Sequence, residues 1–256
     1  SAASDVYKRQ ALDSSGLVAS VAVVENDTLL AEYTVNYKKT HSQTLLPMLD
    51  EISNMTELDL STIDAIAVAG GPGSFTGLRI GSATAKGLGL ALEKPLISIP
   101  TTAAIAYNIW DTDKFVCPIM DARRNQVYTG VYCYTDHRLD TVWEQDTMSI
   151  EALAEGLNCL DHEVIFLGDG VAVYREKLEA LLTIPFSFAP AHVNRQRAAA
   201  VGALAEVYYK EGKIQTAEEH EPEYLRKSQA ERERAERESV KHADVVKKQE
   251  NGEKSE

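Results

Sequence analysis

The sequence predicts an α/β chain built of two related halves, the second a degenerate copy of the first. Three observations carry this. Strand-like runs open the chain, helical and strand-like runs then alternate to about residue 100, and a weaker version of the same succession follows.

In order, Ala11, Leu12 and Asp13 close a short first strand and Ser14-Ser15-Gly16 turns the chain. A second strand, rich in valine and alanine, covers 18–24, and Asn26-Asp27 leads into a third over 28–35. Thr40 can cap a helix whose apolar face reads Leu45, Leu46, Met48, Leu49 and Ile52; Pro47 suits that helix only in its first turns. Residues 63–69 are apolar apart from Asp64, the mark of a strand buried on both faces. A glycine-rich loop at 70–73, a long helix over 75–92 and a strand over 95–99, closed by Pro100, complete the series. The order β-β-β-α-β-α-β is the ribonuclease-H-like half of the architecture shared by actin, sugar kinases and Hsp70, the ASKHA fold.

The second half repeats the style weakly. Strands at 115–120 and 126–134 flank the polar turn 121–125, and a strand over 164–167 runs into Gly168-Asp169-Gly170. Helices are expected over 149–157, 171–182 and 194–210. The expected domains are 11–103, actin-like, and 104–225, also actin-like, with its last helices packing back on the first. A charged tail, helical or disordered, follows over 226–256. SAASDVYKRQ at 1–10 reads as neither a targeting segment nor a strong strand and is expected to be a foreign or mis-assembled leader.

The net charge of −13 lies in the body, because the tail from Arg226 carries nine basic and eight acidic residues. An acidic body repels phosphate backbones and makes a poor autonomous RNA binder; if RNA is involved, another protein should supply the positive surface. Cys117, Cys133 and Cys159 lack the spacing of a disulfide framework or zinc knuckle, which fits a reducing cytosol. No run approaches the roughly 18 apolar residues of a membrane span.

Four motifs carry the functional reading. Asp13-Ser14-Ser15-Gly16 is either a plain hairpin turn or a phosphate cradle of the actin-like kind. The run Gly70–Gly81 (GGPGSFTGLRIG) resembles a P-loop but has no Gly-Lys-Ser/Thr, so no lysine serves the terminal phosphates. Its helix repeats Gly77, Gly81, Ala85 and Gly89 every four residues, with Gly87 between. Each helical glycine costs about 1 kcal/mol relative to alanine, so a close backbone approach must offset it, on the domain's own sheet, against another protein, or both, since a helix has two usable sides. His41 has no second histidine three or four residues away, which argues against a metal. Asp121-Ala122-Arg123-Arg124-Asn125 stands where a second phosphate loop would lie, but lacks the glycine such a loop uses; its arginines suit a phosphate, a partner's carboxylate or a surface ion pair.

The stretches ALDSS, HSQTLLPML, IDAIAVAGGPGSFTGLRIGSATAKGLGLAL, PLISIPT, MDARRNQVYTGVY, FLGDG and EPEYLRKSQAERE resemble the TsaB (YeaZ) family over residues 11 to about 233. The resemblance implies two actin-like domains without the catalytic apparatus of the paralogue TsaD. It further implies a non-catalytic subunit that binds and activates TsaD, joined by the ATPase TsaE. Together they make N6-threonylcarbamoyladenosine at position 37 of tRNAs reading ANN codons, in the cytoplasm. ATP is used by the complex, no cofactor or metal is expected on this chain alone, and tRNA is met indirectly. Without TsaD, such chains can pair with themselves.

Carried onto this sequence, the interface comprises His41, Leu45, Leu46 and Leu49 on one helix and Thr76, Gly77, Ile80, Gly81, Thr84, Ala85 and Leu88 on the next. Asp13, Ser14, Ser15 and Arg123 are candidates for a vestigial nucleotide contact, and no residue is expected to be catalytic. The competing readings are an actin-like ATP-binding enzyme, a small-molecule kinase or glycoprotease-like hydrolase, and a ribonuclease-H-type nuclease. The last lacks the acids that two metals need, since the fourth strand ends in Ala69-Gly70-Gly71.

Overall fold

A computed structural model describes residues 7–37 and 41–226. The chain divides into a body, 1–223, and a short unit, 224–256, of which only 224–226 are described. The expected cap Thr40, the first six residues of the leader and the tail beyond Arg226 lie outside the described residues.

Two five-stranded sheets organise the body. The first comprises β1 (Lys8–Asp13), β2 (Ala19–Glu25), β3 (Thr28–Val35), β4 (Ala65–Gly71) and β5 (Leu96–Pro100), in the order β3-β2-β1-β4-β5. The second comprises β6 (Phe115–Asp121), β7 (Gln126–Thr135), β8 (Arg138–Ser149), β9 (Val164–Leu167) and β10 (Phe186–Phe188), in the order β8-β7-β6-β9-β10. In each, three antiparallel strands are followed by two parallel ones. The two orders are one topology used twice, and the fold is actin-like as the sequence predicts.

Helices α1 (His41–Met55) and α2 (Phe75–Leu92) cover one face of the first sheet, and α4 (Ile150–Leu160) and α5 (Gly170–Leu181) cover the second. The third helix of each half crosses over. Helix α3 (Thr101–Ala106) packs on β6 and β7, and α6 (Ala198–Lys210) packs on β1 and β2.

The two faces of the first sheet differ in side-chain size. Leu12, Val21, Val23, Ile66 and Val68 face α1 and α2 with Leu45, Met48, Leu49 and Ile52. Ala11, Ala22, Ala65, Ala67 and Ala69 form the other face, flat enough for α6 to come close at Gly202, where an added Cβ would lie 3.2 Å from that of Ala11. The first turn of α6 is held from the sheet: Ala198 N donates to Ser20 Oγ at 2.8 Å and Ala199 N to Glu32 Oε1 at 3.0 Å, while Arg197 pairs with Glu32. A carboxylate there also favours the helix dipole.

The structure corrects several expectations. Residues 8–10 of the supposed leader belong to the central strand: Arg9 pairs with Ala65 of β4 and Val24 of β2. Arg9 is fully buried, and its guanidinium meets Glu206 Oε2 at 2.6 Å and the carbonyl of Asn26. That ion pair lets a charged residue occupy a core position. Helix α6 begins at Ala198 rather than 194, because Arg197 is extended and 194–197 form the loop that enters it. Strands β8 and β10, and helix α3, are additions to the expected elements. Pro47 lies in the second turn of α1 and is exposed. Among the described residues no helix is long and apolar enough to cross a membrane.

Candidate functional site

The β1–β2 turn lies under the start of α2. Ser14 Oγ donates to the carbonyl of Gly77 at 2.9 Å, and Ser74 N donates to the carbonyl of Ser15 at 2.6 Å. An added Cβ at Gly77 would overlap the Ser14 carbonyl, and one at Gly81 would stand 2.6 Å from Ser14 Oγ. Gly89 faces Leu96 and Ala217 in the same way. The missing side-chain atoms therefore admit this chain's own turn and strand, which answers the choice left open by the sequence.

The Ser15 donors of the same turn are also engaged internally. Ser15 N and Ser15 Oγ both donate to Asp13 Oδ1, at 2.9 and 2.7 Å. The N-cap of α2 is closed by Ser74 Oγ, which accepts from Gly77 N at 3.4 Å. His41, at the start of α1, makes a 2.8 Å bond to the carbonyl of Gly16. These contacts fix α1, the turn and α2 as one unit. The loop preceding α2 is held as well: Glu223 N donates to the carbonyl of Gly70 at 2.7 Å, and Gln145 Nε2 donates to Glu223 Oε2 at 2.6 Å. Gly71 has φ 124°, and an added Cβ there would overlap the Glu223 carbonyl.

Asp13 is the chemically unusual member. It is fully buried, and Oδ2 has no hydrogen-bond partner among the described residues. Burial pushes its carboxyl up to about 6, partly offset by the Ser15 bonds and by His41. Because the folded value lies above the unfolded one, the unfolded chain ionises first as pH rises. Stability is therefore expected to fall between about pH 4 and pH 6 and to stay lower above that. A rise of that size is worth about 3 kcal/mol. Asp13→Asn keeps the acceptor for Ser15 but buries an amide NH2, a penalty of ~1 kcal/mol. The expected result is a gain of about 2 kcal/mol at pH 7 and a flatter profile between pH 4 and 6, read by urea melts across pH.

The outward side of the α1–α2 pair has a different character. On α2, Thr76, Arg79, Ala83, Gly87, Leu90 and Ala91 are exposed, and Ile80, Thr84 and Leu88 are half-buried beside them. An added Cβ at Gly87 would meet nothing within 4 Å. On α1, Leu46 is 55% and Met55 75% exposed; Leu90 of α2 is 58% exposed. From Ala83 to Ala91 this stripe contains no acidic residue, on a chain of net charge −13. Beyond α1 an open groove of about 830 Å³ runs along β3, lined by Tyr33, Val35, Tyr37, Pro47, Ile52 and Met55 among others.

In the second half, Asp121 occupies the place of Asp13. Its Oδ1 accepts from Arg123 N at 2.9 Å and from Tyr174 OH at 3.2 Å, and its Oδ2 lies 3.3 Å from the Arg123 guanidinium. Asp169 is held above the usual carboxylate range by burial, although Asp121 N and Arg195 oppose the shift.

Of the residues expected at the interface, Leu46 and Thr76 are exposed, and His41, Ile80, Thr84 and Leu88 are half-buried. Leu45, Leu49, Gly77, Gly81 and Ala85 are buried, and this corrects the expectation for them: the two leucines pack on the first sheet, and the small residues face inward. Asp13, Ser14 and Ser15 share one buried turn, whereas the Arg123 side chain is 83% exposed at the tip of the other half's hairpin. Sequence reasoning missed Ala83, Leu90 and Ala91. The missed signal was helical phase: they lie on the side of α2 opposite its four-residue glycine repeat.

A family model described as TsaD, tRNA N6-adenosine threonylcarbamoyltransferase, matches residues 28–234. The tRNA threonylcarbamoyladenosine biosynthesis protein TsaB of Bacillus subtilis is 32% identical over 221 residues, 86% of this chain and 95% of that protein. The TsaB of Haemophilus influenzae is 32% identical over 227 residues, covering 84% and 92%. Among solved structures, YeaZ from Pseudomonas aeruginosa superposes with a TM-score of 0.74 at 27% identity, covering 86% of this chain and all of that one.

Proposed function

The chain belongs to the TsaB family of tRNA threonylcarbamoyladenosine biosynthesis proteins, and from that premise we propose that it is a non-catalytic subunit that binds and activates a TsaD-type transferase. The observation that supports this reading is the outward α1–α2 stripe. Leu46, Ala83, Gly87, Leu90 and Ala91 present an apolar, low-relief surface, free of acidic side chains from Ala83 to Ala91, on an acidic protein. Small residues on an exposed helix let a partner helix approach closely, and the flanking leucines anchor it.

In this reading the TsaE ATPase joins the pair, and the product is N6-threonylcarbamoyladenosine at position 37 of tRNAs reading ANN codons, made in the cytoplasm. ATP is consumed by the complex rather than on this chain, consistent with a β1–β2 turn whose serine hydroxyls and Ser15 amide are engaged internally. Without TsaD the same stripe supports self-pairing. The test is size exclusion of the purified chain with the TsaD of its own organism. Co-elution is expected, and separate elution of two folded proteins removes the reading.

One observation favours an ATP-binding enzyme instead: the buried, unpartnered Oδ2 of Asp13, since perturbed carboxyls cluster at functional sites. Calorimetric titration of the chain with ATP and magnesium decides, and tight binding by the chain alone supports that alternative.

A further inference from the structure

The hairpin between β6 and β7 plays no part in pairing through the α1–α2 stripe. Its tip holds three consecutive non-glycine residues in the left-handed region, Arg123 at φ 64°, Arg124 at 54° and Asn125 at 59°. Left-handed backbone is unfavourable for residues with a Cβ, and it persists where the surroundings impose it. Here they do so on both sides. Asp121 Oδ1 accepts from Arg123 N, and Tyr174 OH reaches both Asp121 Oδ1 and the carbonyl of Gln126. On the other side Asn125 Nδ2 donates to Glu151 at 2.7 Å, and Lys177 bridges Asn125 and Glu151. The clamps leave Arg123 and Arg124 projecting into solvent, with Lys177 half-exposed beside the tip.

We propose that this clamped tip is a contact for RNA phosphates, through which the chain touches the tRNA directly; the proposal rests on the chain's place in a tRNA-modifying complex. Guanidinium groups match phosphate geometry with two parallel N–H donors. The Arg123 guanidinium is 83% exposed, and Asp121 keeps its hydrogen bonds from Arg123 N and Tyr174 OH when a phosphate takes the guanidinium. The tip is polar apart from Ala122, whereas an arginine anchoring a protein interface usually sits within a ring of apolar contacts. That contrast favours RNA over an acidic protein. On a chain of net charge −13, a fixed basic projection is also what lets a polyanion approach at all.

The test uses a fluorescent transcript of a tRNA reading an ANN codon, titrated with the full chain together with its TsaD, and with the full chain alone at low salt. Replacing Arg123 and Arg124 by alanine is expected to weaken binding about tenfold. The slope of log K against log salt should flatten by roughly 1.5, the loss of two phosphate contacts. Arg124→Gln, which changes only an exposed side chain, is expected to give about half the change in slope, and its melting temperature checks folding. Arg138→Ala, an exposed arginine on β8, is expected to change nothing.

RNA affinity equal to wild type in the alanine double variant overturns the proposal. So does a variant that loses TsaD on a sizing column while its own RNA binding is unchanged, which would assign the tip to a partner's carboxylates. If the wild-type chain fails to bind TsaD at all, the partner reading fails, and the titration of the chain alone still decides this one.

Discussion

Gly81→Leu is expected to destabilise the body by about 4 kcal/mol or more rather than to detach a partner. A Cβ at Gly81 stands 2.6 Å from Ser14 Oγ, and the rest of a leucine side chain must find room between α2 and the β1–β2 turn. The turn cannot move away easily, because Ser14, Ser15 and His41 tie it to α2 and α1. Overpacking usually costs about 1–3 kcal/mol, and here loss of the Ser14 bond adds to it. Against a total stability of about 5–15 kcal/mol, the variant should melt far below wild type or fail to fold. Circular dichroism melts read this directly. A Gly81→Leu chain that melts with wild type but no longer pairs would return the glycine face to the interface.

The second large effect is expected at the outward stripe. Leu46→Glu with Leu90→Glu should leave the melting temperature within about 2 °C of wild type, since both side chains are more than half exposed. The same pair should weaken binding to TsaD about a hundredfold, or ~3 kcal/mol, because two central apolar anchors become charges that must be desolvated. Isothermal titration of the two variants provides an internal contrast. The glycine substitution acts on the fold and the leucine pair on the partner.

Much of the fold is legible in the sequence because its strongest signals are local. The continuous apolar run of β4, the capped glycine-rich start of α2 and the alternation of β and α elements set one half, and the second half follows the same order. What escapes has a long-range cause. RLDTVWEQDTMS reads poorly as a strand because β8 is an edge, half-exposed along most of its length. Arg9 looks foreign to a central strand because its partner Glu206 comes from α6, 197 residues away. Three-residue β10 and six-residue α3 are too short to show a period.

For the candidate interface, composition points to α1 and α2 but not to which of their sides are exposed. The repeat at Gly77, Gly81, Ala85 and Gly89 is conspicuous because it accommodates the Ser14 turn and Leu96, and neither neighbour can be inferred from spacing alone. Gly87 belongs to the same sequence run and faces the opposite way, toward open space. Likewise Asp13 and Arg123 look like two halves of one phosphate site in sequence. In the structure one is fully buried in a closed turn and the other projects from an exposed hairpin.

Hydrogen exchange on the chain with and without its TsaD examines the outward stripe itself. Added protection is expected in peptides spanning α1 and α2, with the strongest slowing from Ala83 to Ala91, while β8 and α4 exchange as in the free chain. Equal exchange of α1 and α2 in the free and bound states, with protection gained only elsewhere on the body, would contradict the assignment of that face to the partner.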